Sequence, residues 1–159
     1  MDESTFVSIF GSVYERSSWV AEAVWHHRPF ASLDGLHAAM DGIVQGAGQS
    51  RQMTLIKAHP ELAGRLATSG PLTVESRSEQ AQAGLTSLSE NLTKQMLELN
   101  DSYQKKFGFP FIICARLNNV ATILQAMEDR LTNSAETEFT TAIQEISKIA
   151  RLRLADIIV

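Results

Sequence analysis

The sequence predicts an all-α fold, a single domain over residues 1–159 built as a bundle of about eight helices with no significant β-sheet. Apolar residues recur at helical spacing through most of the chain, and Ser, Gly and Pro fall between the periodic stretches as caps and breakers. Only one short apolar run could serve as a strand, and no second run is present to pair with it.

In the first stretch Phe6, Ile9, Phe10 and Val13 follow the pattern i, i+3, i+4, i+7, with Ser4 as the expected cap. A second helix is expected from Ser18 to His27, ending before Pro29 because the residue ahead of a proline is pushed out of the α region. The third places Leu36, Ala39, Met40, Ile43 and Val44 on one face, with Ser32 in front and Gly46 behind. "SRQMTLIKA" forms a fourth that stops at His59-Pro60, and the Gly70-Pro71 pair then marks a turn.

Two helices are expected next, from Ser76 to Leu88 and from Glu90 to Phe107. In the longer one Leu92, Met96, Leu99, Tyr103 and Phe107 keep one face apolar, and Gly108 can close it in a left-handed conformation. "FGFPFIICA" reads as buried extended chain leading into a helix from Asn118 to Leu131, which turns Val120, Ile123, Leu124, Met127 and Leu131 inward. A last helix from Ala135 to Ile157 carries Phe139, Ile143, Ile146, Ile149 and Leu154 on its inner face.

Composition narrows the function classes. With 44% hydrophobic and 20% charged residues, the chain is far from the polar, highly charged composition that stays disordered. A net charge of −4, with its 14 basic residues scattered, argues against nucleic acid or an anionic membrane as main partner. No apolar stretch is long enough to span a bilayer. The acidic start lacks a secretory pattern, so a cytoplasmic protein is expected. Cys114 is the single cysteine, which rules out an internal disulfide and any cysteine-based metal site, and its apolar surroundings suit a small buried hydrophobe. His26, His27 and His37 lack partners at the spacing of a helical zinc site, so no metal is expected.

Two polar groups invite a chemical reading. Pro60 ends the preceding helix at His59, where free carbonyls and the helix dipole favour the protonated ring. Such an imidazole can donate a proton near neutral pH, or can simply cap the helix. Ser76 and Glu79 fit the S-x-x-E capping box, and with Gln80 they could also offer a hydroxyl, a carboxylate and an amide to a polar ligand at a helix start. Both readings stay open for each. A non-catalytic helical protein-interaction module, with these features serving only as scaffold, is the alternative from another class.

Five ordered blocks sharpen the choice: "WHHRPF", "AHPELAGR", "SRSEQAQAGL", "NDSYQKKFGFPFIICA" and "EISKIARLRL". Together they resemble the 2-oxo-4-hydroxy-4-carboxy-5-ureidoimidazoline (OHCU) decarboxylase family, over nearly the whole chain. The resemblance implies an all-α homodimer that converts OHCU to (S)-allantoin at the end of the route from uric acid, without metal or organic cofactor. It implies a catalytic histidine at His59 beside Pro60, and Ser76, Glu79 and Gln80 in the pocket, with Glu79 orienting the substrate. It also implies substrate contacts from the backbone of Phe111, Ile112, Ile113, Cys114 and Ala115. The arginine of its C-terminal motif maps onto Arg153, with Arg151 as competitor.

Overall fold

A computed structural model describes residues 1–63 and 72–159; Arg65 and the expected Gly70-Pro71 turn lie outside the described residues. Among the described residues there are eight α-helices, one short 3-10 turn and no strand, so the fold is all-α. The chain divides into two compact units, one made of Met1–Ala58 with Ile146–Val159, the other of His59–Glu145.

The first unit opens with α1 (Glu3–Phe10). Its cap is Asp2 rather than the expected Ser4: the Asp2 carboxylate accepts from Thr5 N at 2.8 Å, and its negative charge suits the positive end of the helix dipole. Phe6 and Phe10 are buried, and Phe6 meets Trp25 of α2 (Trp19–Trp25) with ring centroids 5.4 Å apart. Ile9 departs from the expected inward face and is 36% exposed, because a helix this short buries only its i, i+4 pair. Helix α3 (Leu33–Gly46) starts at Ser32, whose hydroxyl accepts from Gly35 N, and buries Leu36, Met40 and Val44. Leu55 and Ile56 are the buried residues of α4 (Gln49–Ala58).

In the second unit α5 spans Val74–Gln82, beginning two residues before the expected Ser76. Its cap is Thr73, whose hydroxyl accepts from Ser76 N at 3.2 Å, so Ser76 sits in the first turn and is not a capping residue. Helix α6 (Glu90–Phe107) ends as expected at Gly108, which adopts φ 77° and donates its N–H to Gln104 O. The next residues are buried non-helical chain as far as the 3-10 turn at Ala115–Leu117. Helix α7 (Val120–Arg130) begins with a reciprocal capping box between Asn119 and Thr122, the motif expected instead at Ser76 and Glu79.

The last helix, α8 (Ala135–Ile157), gives its first part to the second unit and its residues from Ile146 onward to the first. Ile143, Ile146, Ile149 and Leu154 are buried as the periodicity requires, while Phe139 is only half-buried. Within the second unit α6 packs on α7, and α5 packs on the 3-10 turn. Tyr103 gathers the aromatic core there, with ring centroids 4.5 Å from Phe107 and 5.3 Å from Phe111.

Candidate active site

His59 directly follows α4 in the chain and opens the second unit. It is buried to 8% exposure, unusual for a titratable side chain beside a helix end. The residues that follow it form a turn held by an amide from α5. Gln80 Oε1 accepts from Ala63 N at 3.0 Å, and Gln80 Nε2 donates to Glu61 O at 3.4 Å. The amide thus brackets the turn, fixing which way the chain leaves Pro60.

Ser76, Glu79 and Gln80 are all buried on α5. Ser76 and Glu79 lie three apart and Ser76 and Gln80 four apart, so one face of the helix carries all three. A buried hydroxyl, carboxylate and amide on one face is a costly arrangement unless polar partners meet it. Thr73 takes over the capping, which leaves the Ser76 and Glu79 side chains out of the capping box that sequence spacing suggests.

The third component is the apolar segment that leads into the 3-10 turn. Phe111, Ile112, Ile113, Cys114 and Ala115 are each at most 8% exposed. Buried non-helical backbone needs polar partners, and two charged side chains supply them. Arg130 Nη1 donates to Ile112 O at 2.7 Å, and Glu145 Oε1 accepts from Cys114 N at 3.1 Å. Burial pushes the Cys114 thiol above its ordinary range, and the negative charges of Glu145 and Glu79 push the same way. That shared influence brings Glu79 of α5 and the Cys114 segment into one electrostatic neighbourhood. A protonated, buried thiol suits the packing role expected for Cys114 rather than nucleophilic work.

Helix α5 is therefore the common wall: the turn after His59 is tied to it through Gln80, and the 3-10 turn after Cys114 packs on it. The chain belongs to the OHCU decarboxylase family. The family model described as OHCU decarboxylase matches residues 1–155. The chain is 46% identical over 158 residues to the 2-oxo-4-hydroxy-4-carboxy-5-ureidoimidazoline decarboxylase of Halalkalicoccus jeotgali, covering 99% of this chain and 88% of that one. It is 44% identical over 158 residues to the uric acid degradation bifunctional protein PucL of Bacillus subtilis, where it covers 99% of this chain but 31% of that protein. The crystal structure of an OHCU decarboxylase in the presence of (S)-allantoin superposes with a TM-score of 0.73 at 26% identity, covering 98% of this chain and 97% of that chain.

Arg153 belongs to the first unit. It is buried there, with its guanidinium donating to Glu15 Oε2 at 2.8 Å and to Ser12 O at 3.3 Å. Its competitor Arg151 is partly exposed and pairs with the exposed Asp34 at 2.9 Å. Of the two arginines, Arg153 is the buried one. Among the described residues no group of three His, Cys, Asp or Glu side chains is arranged to hold a metal ion.

Asn100, Arg130, Glu138 and Glu145 were not among the residues that the sequence singled out, although all shape this unit. Glu138, Ala142, Glu145 and Ile149 follow the inward i, i+4, i+7, i+11 register of α8, so two carboxylates stand where a core helix should be apolar. Asn100 interrupts the inner face of α6 between Met96 and Tyr103 in the same way. Such polar residues at core register are the sequence signal that would have found them.

Proposed function

We propose that this chain decarboxylates OHCU to (S)-allantoin in uric acid degradation, with His59 as the proton donor and Glu79 orienting the substrate. The observation that carries this reading is the common wall of α5, which holds the turn after His59 through Gln80 and packs against the turn after Cys114. In the reaction the bond between the ring carbon and the carboxylate breaks, carbon dioxide leaves, and the electron pair passes into the conjugated ring. The ring can hold that charge itself. The remaining task is delivery of a proton to one face, which a protonated His59 ring at a fixed position would perform.

The polar groups have distinct tasks in this reading. The Glu79 carboxylate accepts hydrogen bonds from the ring hydroxyl or amide hydrogens and so chooses the face presented to His59. Ser76 adds a hydroxyl to the same wall, and Pro60 keeps the imidazole from turning away. Ile112 O and Cys114 N are engaged by Arg130 and Glu145, Cys114 O by Leu117 N and Asn118 Nδ2, and Ala115 O by Asn118 N, so contact with the flat ring falls to the other peptide groups of Phe111 to Ala115. Arg153 is proposed as a partner for the carboxylate or ureido oxygens, to which a guanidinium donates in parallel. The reading includes a homodimer in the cytoplasm working without metal or organic cofactor, supported by the family resemblance. Among the described residues no helix is long and apolar enough to cross a membrane.

The assay generates the unstable substrate enzymatically from urate, adds the protein, and follows substrate loss and the optical activity of the allantoin. Positioned acid–base groups contribute about 10² to 10⁴-fold, so His59→Ala and Glu79→Ala should lose the acceleration and yield racemic product. Wild-type rates in both folded variants would overturn the roles given to His59 and Glu79, whereas no acceleration by the wild-type protein would point to the non-catalytic interaction module instead.

A further inference from the structure

Among the described residues, two side-chain amides hold the turn that follows His59, and one of them belongs to α5. Asn100, from the middle of α6, donates from Nδ2 to Leu62 O at 2.8 Å across 38 positions of sequence. The peptide groups of three successive residues, Glu61, Leu62 and Ala63, are thereby gripped by Gln80 and Asn100. The grip is needed because the turn does not favour its own shape: Ala63 sits at φ 53°, a left-handed conformation that residues with a Cβ avoid.

Packing does not explain an asparagine at this place. Asn100 is 3% exposed, and among the described residues its Oδ1 has no hydrogen-bond partner. A buried carbonyl oxygen left this way is unfavourable, and an apolar side chain would avoid it. What an apolar side chain cannot supply is the N–H that meets Leu62 O. The direction of the amide follows from that partner, since a carbonyl oxygen only accepts.

We infer that Asn100 is a positioning residue for the reaction, acting through Leu62 and the rigid Pro60 ring to fix the His59 imidazole; this rests on the reading of His59 as proton donor. Between Leu62 and His59 the chain has few free torsions, because proline locks its own φ and restricts the residue before it. A displaced Leu62 carbonyl therefore moves the imidazole rather than being absorbed by the chain.

The test is Asn100→Asp, which keeps the shape, removes the donor and sets a carboxylate against the Leu62 carbonyl. Misplacement of a reacting group by about 1 Å costs about 100-fold, so kcat should fall between about tenfold and 100-fold with KM changed less than about threefold. The His59 ring resonance in the ligand-free protein should shift, while those of the exposed His26 and His27 stay in place. Wild-type kcat in folded Asn100→Asp overturns the inference, as does a loss confined to KM. Should that variant not fold, Asn100→Ser, uncharged and too short to reach Leu62, is judged by the same measures. His59→Ala separates the two levels: if it keeps the wild-type rate the proton-donor reading fails, whereas an inactive His59→Ala beside a fully active Asn100→Asp removes only Asn100.

Discussion

Glu145 Oε1 accepts a hydrogen bond from Cys114 N at 3.1 Å, so a carboxylate of the last helix holds the backbone of the segment that leads into the 3-10 turn. Two residues earlier the same segment is held by charge of opposite sign, Arg130 on Ile112 O. A stretch of apolar side chains has no means of fixing its own peptide groups. Here an anion takes an N–H and a cation takes a carbonyl, which sets the plane of the backbone between them.

Removing the anion should therefore loosen that segment. In Glu145→Ala the Cys114 N–H is left buried without this acceptor, at a cost of about 1–3 kcal/mol. Glu145→Gln keeps an acceptor oxygen and should recover most of the stability, which urea unfolding of the two variants will compare. The thiol gives a second readout. Burial is the largest cause of its raised pKa, with Glu145 and Glu79 adding to it. Glu145→Gln removes one of those charges, so thiolate absorbance should appear at lower pH than in the wild type. An unchanged thiol titration would mean that Glu145 is not close enough to act.

Both tyrosines of the chain should resist ionisation while the fold persists. Burial is the main cause at Tyr14, helped by Asp41, and at Tyr103 burial is reinforced by the hydrogen bond to Glu138. Each folded-state pKa is raised above its ordinary value of 10.0. The folded chain therefore keeps protons that the unfolded chain loses, and the stability this gives is fully present below pH 10 and lost as pH rises above it. Absorbance at the tyrosinate band should stay flat through the usual range and then rise for both residues together as the protein unfolds. A separate transition near 10 would show that one hydroxyl is open to water.

Much of the fold was legible because its signals are local. The end of α6 needed only Gly108 after an apolar stripe, and the left-handed φ of 77° is what that glycine allows. The Phe107 to Ala115 run, whose periodicity leaves strand and buried helix start both open, reads as extended chain because no second run can pair with it. The start of α5 is not legible in the same way, because Ser76-x-x-Glu79 and Thr73-x-x-Ser76 offer rival caps and the choice depends on burial that spacing does not reveal. The support beneath the site was harder still. Glu138 accepts from Tyr103 at 2.6 Å, from Arg130 at 2.8 Å and from Asn133 at 3.0 Å, partners drawn from α6, α7 and the loop ahead of α8. Pairings across such separations carry no period. A charged residue at core register announces that a partner exists without saying which.

The two arginines of the "RLRL" motif offer a contrast within one helical turn. Arg151 meets Asp34 at 2.9 Å, but the side chains are 39% and 79% exposed, so water screens the pair and its loss should cost about 0–1 kcal/mol. Arg153 meets Glu15 at 2.8 Å with side chains 5% and 1% exposed. Truncating Arg153 takes the guanidinium away from a buried carboxylate, and breaking such a pair costs about 3–5 kcal/mol. Arg151→Ala should thus melt near the wild type, and Arg153→Ala well below it. Since Arg153 is also proposed to bind substrate, Glu15→Gln separates the roles: it keeps an acceptor for the guanidinium and leaves the arginine in place. If Arg153 serves stability alone, Arg153→Lys with its fold retained should keep the wild-type KM. If it also grips the substrate, KM should rise in Arg153→Lys, where the parallel donor pair is gone, and stay near the wild type in Glu15→Gln.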